Sequence, residues 1–182
     1  MQPYRKFIGN ALMAFSLLLL AFIYYPIIAL YLSPSYETKT VSSFYIEIPQ
    51  IKARYNVLEN VDPFNEKEYR KKLEKGIAHA KGTSLPGEKG TSFLFAHSSD
   101  LPWRITRYNK AFFRLPELRK GDRINIVRNG KSFQYEVFET KTVWPNEVDY
   151  LLDNKKDQLI LQTCVPIGTS LQRLLVFAKP TE

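Results

Sequence analysis

Thirty consecutive residues, from Phe7 to Tyr36, carry no charge, and they contain the run ALMAFSLLLLAFIYYPIIALYL. About 20 apolar residues in a helix are enough to cross the hydrocarbon core of a bilayer. A cleaved secretory leader has a shorter apolar region followed by a small-residue cleavage site. Here bulky Tyr24, Tyr25, Tyr31 and Leu32 crowd the outer end, so residues 7–32 read as an uncleaved anchor. Pro26 bends such a helix without forbidding it. Arg5 and Lys6 precede the segment, and positive charge on a short flank keeps that flank cytoplasmic. The expected organisation is a cytoplasmic tail (1–6), a transmembrane helix (7–32), a stalk (33–42) and one extracytoplasmic domain (43–182).

That domain is long enough for a packed core. The chain has a formal net charge of +8, and removing Arg5 and Lys6 leaves +6 outside. A basic domain suits an anionic membrane or cell-wall surface. The cations are scattered, with no basic repeat or aromatic-interleaved patch, so nucleic acid is not an expected partner. The single cysteine, Cys164, has no partner for an internal disulfide, and a lone thiol in an oxidising compartment points to reactivity.

Beyond the stalk, SFYIEIPQI and ARYNVLENV alternate and are rich in strand formers, separated by a break at Pro49 to Lys52, which predicts an opening strand pair. DPFNEKEYRKKLEKG predicts the one substantial helix, with Asp62 or Asn65 as cap, Tyr69, Leu73 and Ile77 on one face, and Gly76 as terminator. TSFLFA predicts a strand that delivers His97 at its end. DRINIVRNG and KSFQYEVFETKTVW predict a hairpin turning at Asn129 and Gly130, closed off by Pro145. Residues 145–156 read as a loop carrying a short helix. DQLILQTC and LQRLLVFAKP supply the last two strands, joined by the turn VPIGTS. Seven or eight short strands with one or two short helices predict a mainly β fold, a closed or nearly closed barrel.

Cysteine acyl chemistry needs a thiolate, a proton-transfer partner and donors for the tetrahedral oxyanion. Cys164 ends one apolar strand and His97 another. Arg173 lies nine residues past the cysteine on a returning strand, where hairpin pairing brings it back beside Cys164. Taken singly, each has an ordinary structural explanation: a buried thiol, an edge histidine, a solvated arginine.

Together they resemble the sortase family. ILQTC, Ile160 to Cys164, is similar to the TLxTC signature, and GTSLQRLLV places an arginine where sortases carry theirs. Upstream, GIAHAKGTSLPGEKGTSFLFAHSS is similar to the segment in which a Gly-Thr and Pro-Gly-Glu turn leads to the active histidine. The likeness extends from Ile46 to Lys179. Two positions depart from the pattern: Ile160 replaces the first Thr of the signature, and Ala96 replaces the Gly before the histidine. His79 matches a position many sortases fill with a non-catalytic histidine.

The resemblance implies a sortase-like β-barrel and a cysteine transpeptidase. Cys164 attacks an LPxTG-like sorting signal after its threonine, and an amine resolves the thioester. His97 exchanges the proton and Arg173 stabilises the oxyanion. Thr163 and Ala96 are expected beside the substrate. Trp144 and Leu151 are expected along the groove wall, with Val148, Tyr150 and Leu152 near them. The implied partners are surface-protein substrates and an amine acceptor, either a lipid-linked cell-wall precursor or a protein lysine. The absence of an evident long lid segment leans away from pilus polymerisation. Glu88, Asp100, Glu117 and Asp122 lack metal-ligand spacing, so no cofactor is expected to be required and calcium is not predicted. An L,D-transpeptidase or papain-like peptidase is disfavoured, because neither local motif surrounds Cys164. The alternative from another class is a membrane-tethered β-barrel binding module without catalysis, which requires Cys164 to be inert and remote from His97 and Arg173.

Overall fold

The structure, a computed structural model, describes residues 2–32, 42–97, 111–152, 155–166 and 169–181. It divides into two compact units, Met1–Pro34 and Ser35–Glu182. The first is a single helix, α1 (Gln2–Leu32), that continues through Pro26. Its span Tyr4–Tyr25 is long and apolar enough to cross a membrane, with a mean hydropathy of 2.1. At about 1.5 Å per residue this length exceeds the hydrocarbon thickness of a bilayer. The expected stalk falls almost wholly outside the described residues.

The second unit is a closed eight-stranded barrel. Its strands are β1 (Phe44–Ile48), β2 (Ala53–Val61), β3 (Ile77–Ala80), β4 (Thr91–Phe95), β5 (Arg123–Arg128), β6 (Lys131–Val143), β7 (Gln158–Val165) and β8 (Gln172–Thr181). They are ordered β1-β2-β3-β4-β7-β8-β6-β5, and β5 closes back onto β1. Closure leaves no strand edge exposed. The pairs β2–β3 and β4–β7 are parallel and the rest antiparallel. A 3₁₀ turn over Pro49–Ile51 makes the predicted break between β1 and β2. The β5–β6 hairpin turns at Asn129 and Gly130, which both take positive φ, as a tight two-residue turn requires.

Alternation along the strands sorts apolar side chains into two clusters. Ile46, Ile48, Val57, Leu94, Ile124, Ile126, Leu159, Leu161 and Val176 are among those filling the barrel interior. Phe93, Phe95, Ile160, Leu175 and Phe177 form a second cluster on the outer face of β4, β7 and β8. Two short helices pack against this outer cluster. Helix α2 (Glu66–Leu73) contributes Tyr69 and Leu73, while α3 (Asp149–Leu152) contributes Tyr150 and Leu151.

Helix α2 is capped by Asn65, whose Oδ1 accepts from the Glu68 amide at 3.2 Å. Its C-cap is Glu74, one residue before the position that Gly76 as terminator predicts. Beyond Leu73 the chain passes so close to β2 that a Cβ on Gly76 would lie 2.5 Å from the Asn56 carbonyl oxygen. The glycine is therefore a close-approach residue. Ile77 pairs in parallel with Val57 and enters the interior cluster, so it does not share the face of Tyr69 and Leu73. Burial of β3 between two neighbours decides this, because its four residues are too few to show a period of their own.

Candidate active site

The parallel ladder β4–β7 sets the heights of the two strand ends. Phe95 pairs with Gln162, and the Ala96 amide donates to the Gln162 carbonyl at 3.1 Å. Continuing that register places His97 level with Cys164 on the neighbouring strand, and adjacent strands lie about 4.8 Å apart. On the other side of β7, Cys164 pairs directly with Arg173 of β8. In such pairs the Cβ atoms are about 5 Å apart.

The same alternation sets the face. Phe93 and Phe95, Ile160, and Leu175 and Phe177 all project into the outer cluster. Counting by twos along each strand carries His97, Cys164 and Arg173 to that outer face. Three chemically distinct groups from three adjacent strands thus converge at one end of one face. The α2 flank of that face lies beside β4 and the α3 flank beside β8, as shown by the Tyr69–Phe95 and Tyr150–Phe177 edge contacts at 6.0 and 5.7 Å between ring centroids.

Cys164 is free and half-buried. Burial pushes its thiol above the usual range, and the Arg173 guanidinium pulls in the opposite direction. Burial is the larger influence, so the thiol form predominates at neutral pH. Arg173 is itself held in place: Nη1 donates to the Ser170 carbonyl at 3.0 Å and to the Gln172 carbonyl at 3.3 Å. This leaves the remainder of a planar, permanently charged fork of donors available among the described residues.

The residues expected around this centre divide into two groups. Ala96 and Thr163, expected at the substrate, belong to the opposite side of the sheet. Ala96 is 7% exposed and packs in the interior core. Thr163 is 0% exposed, and its hydroxyl donates to the Ala96 carbonyl at 3.4 Å. Their parity along the strand turns both inward, so they support the β4–β7 junction under the site and present no side-chain atoms to the outer face. Trp144 and Leu151 lie toward the other flank. Trp144 follows Val143, the pairing partner of Arg173, and is 59% exposed, an unusually open position for so large an aromatic. Leu151 is half-buried against the outer cluster with Tyr150. The Lys141 ammonium donates to the Tyr150 hydroxyl and lies 5.0 Å from its ring centroid, fixing α3 against β6. Sequence reasoning placed Tyr69 only as a stripe residue; its nearness to the site comes from the α2–β4 contact, which leaves no local sequence signal.

His79 lies elsewhere. It is 0% exposed in the barrel wall, where Nδ1 accepts from the Asn60 amide at 3.4 Å and Nε2 lies 3.1 Å from both the Ser84 carbonyl and the Thr83 hydroxyl. An acceptor role for Nδ1 fixes the proton on Nε2. This histidine ties β2, β3 and the following turn together.

Among the described residues no group of three or more His, Cys, Asp or Glu side chains gathers into a metal site. Glu88, Glu117 and Asp122 hold local structure instead: the first and third accept from the Leu85 and Arg119 amides, and the second pairs with Arg114 at 2.6 Å. Asp100 lies outside the described residues.

Residues 46–181 match the sortase domain family. The chain is 30% identical over 138 residues to Sortase D of Bacillus subtilis (strain 168), covering 74% of this chain and 61% of that protein. It is 27% identical over 131 residues to Sortase A of Bacillus anthracis, covering 72% and 56%. The chain therefore spans about three fifths of the length of these relatives. Among solved structures, sortase C from Clostridium perfringens SM101 superposes with a TM-score of 0.59 at 31% identity, covering 81% of this chain and 72% of that one. A Clostridium perfringens Sortase D5 transpeptidase gives 0.61 at 25% identity, covering 79% and 84%. With the family matched over most of its length and the barrel reproduced in these neighbours, this chain belongs to the sortase family.

Proposed function

We propose that the protein is a membrane-anchored cysteine transpeptidase that cleaves an LPxTG-like sorting signal and transfers the acyl fragment to an amine. What supports this reading is the direct pairing of Cys164 with Arg173, together with the β4–β7 register, which, continued two residues past Phe95, brings His97 level with Cys164. A binding module would have no reason to level a thiol between an imidazole and a guanidinium.

In this reading the Cys164 thiolate attacks the carbonyl carbon of the peptide bond that follows the signal's threonine. The negative charge moves to the carbonyl oxygen, where the Arg173 donors hold it more strongly than they hold the neutral carbonyl. The C–N bond then breaks as His97 delivers a proton to the departing amine, leaving a thioester on Sγ. An incoming amine loses a proton to His97 and attacks the thioester, and Cys164 leaves as the thiolate. Because burial raises the Cys164 thiol, only a minor fraction of the resting enzyme is charged for attack.

An apolar helix of this length fits an anchor that holds the domain on the membrane. Confinement there raises the effective concentration of sorting substrates and of a lipid-linked acceptor. Secreted proteins bearing the signal are the proposed donors, and a cell-wall precursor or a protein lysine the acceptor. No metal or cofactor is assigned to the reaction.

The reading is tested with the full chain in detergent micelles, an LPxTG-type peptide panel and a primary amine, with products separated by chromatography. An amine-linked peptide formed by the native chain and lost in His97→Ala supports it. Equal product with and without the imidazole would remove His97 from the mechanism.

A further inference from the structure

We infer that Tyr69 of α2 is a substrate-contacting residue whose hydroxyl donates a hydrogen bond to the main chain of the bound peptide on the β4 side of Cys164. This rests on the transpeptidase reading above and adds to it a recognition group that lies outside the three strand-end residues.

Helix α2 is almost entirely polar. Within EKEYRKKL only Tyr69 and Leu73, four residues apart, face the sheet. Leu73 is 3% exposed and does the packing expected of such a stripe. Tyr69 is different: its ring stands edge-on to Phe95, two residues before His97, while the side chain remains partly open. Phenylalanine would make the same ring contact. The hydroxyl must therefore be explained separately.

Among the described residues that hydroxyl has no hydrogen-bond partner. A half-buried hydroxyl without a partner is unfavourable against an apolar surface, unless water or a ligand meets it. Its surroundings locate it. The ring contact with Phe95, on the same face of the sheet two residues before His97, sets Tyr69 on the β4 flank of the strand-end residues; burial raises its phenol, with Glu66, Arg70, Arg173 and Cys164 acting on it in that order. The group therefore lies on the β4 side of the face that carries Cys164, on the flank opposite α3. A peptide laid along the outer face toward Cys164 passes between the two flanks, and its backbone carbonyls are the acceptors an uncharged phenol O–H suits. A sequence-tolerant main-chain contact of this kind adds binding without selecting a side chain.

The test compares the native chain, Tyr69→Phe and Tyr69→Leu, each full-length in detergent, by steady-state transpeptidation of an accepted LPxTG-type peptide, by iodoacetamide alkylation of Cys164 and by thermal melting. Loss of one neutral hydrogen bond predicts a KM for Tyr69→Phe roughly fivefold higher with kcat little changed. Alkylation rate and melting temperature should match the native chain. Tyr69→Leu, which also removes the ring, should lower the melting temperature. Unchanged KM in Tyr69→Phe would overturn the inference while leaving the transpeptidase reading intact. A parallel change in alkylation and melting would show that the hydroxyl acts on the fold. No reaction of the native chain with any peptide overturns the transpeptidase reading and this inference with it.

Discussion

Cys164 and Arg173 are directly paired residues on β7 and β8, so the thiol and the guanidinium owe their proximity to a backbone ladder and not to loop conformation. A ladder is rigid on the scale that oxyanion stabilisation demands, where donors must already be aimed at the position of developing charge. It also makes the two groups electrostatically dependent on each other.

Replacing Arg173 should expose that dependence. The guanidinium opposes the upward push of burial on the Cys164 thiol. Arg173→Gln should therefore move the pH profile of Cys164 alkylation to higher pH, so that alkylation slows at any pH below the plateau. Transpeptidation should fall by a larger factor, about 10²–10³, because the oxyanion loses its main donors as well. A superimposable alkylation profile would separate Arg173 from the thiol.

His79 should make the barrel acid-sensitive. Burial is the main cause holding its imidazole below the ordinary value of 6.5, with the Ser84 carbonyl, Glu59 and Glu88 opposing and Arg128 assisting. A histidine whose folded value is depressed contributes stability above its unfolded value and loses it as pH falls. The melting temperature should thus decline as pH drops below about 6.5. His79→Gln should be less stable at pH 8, by about 2 kcal/mol from unmet buried groups, and its melting temperature should be flatter between pH 7 and 5. An equally steep decline in the variant would assign the acid sensitivity to other groups.

The α2 cap gives a cleaner, smaller effect. Asn65→Ala removes the acceptor for the Glu68 amide and should cost about 1 kcal/mol, whereas Asn65→Asp keeps the acceptor and should cost little. Thermal melts of the two variants decide this; equal losses would mean that the cap bond is not the cause.

Two glycines with positive φ should respond differently to alanine. At Gly87 (φ +87°) a Cβ would lie 2.1 Å from the Phe133 ring, whereas at Gly130 (φ +78°) it meets open space. Gly130→Ala should cost about 1 kcal/mol of backbone strain, and Gly87→Ala distinctly more, since Phe133 packs against the interior cluster. Equal melting temperatures would contradict this placement of Phe133.

Local patterns in the sequence announced much of this architecture. The apolar N-terminal helix, the Asn129–Gly130 hairpin, the short helix after β6 and the strand ends bearing His97 and Cys164 all follow from composition, period or turn chemistry. β3 did not, because IAHA is four buried residues whose place is decided by parallel pairing with β2. The early end of α2 was hidden for the same reason: the closeness of Asn56 to Gly76 is a tertiary fact. At the site, strand parity was legible in principle. Alternation turns Thr163 and Ala96, next to Cys164 and His97 in sequence, to the opposite side of the sheet. Tyr69 was the reverse case, distant in sequence and near in space.

Whether Cys164 is an acyl-accepting nucleophile is decided by intact-mass spectrometry of the full chain in detergent after incubation with LPxTG-type peptides, without added amine and beside Cys164→Ala. A covalent adduct of the acyl fragment should form on the native chain, released by hydroxylamine as expected for a thioester, with no adduct on the variant. No adduct across the peptide panel, together with a Cys164 inert to alkylation, would contradict that role and leave a tethered β-barrel without catalysis.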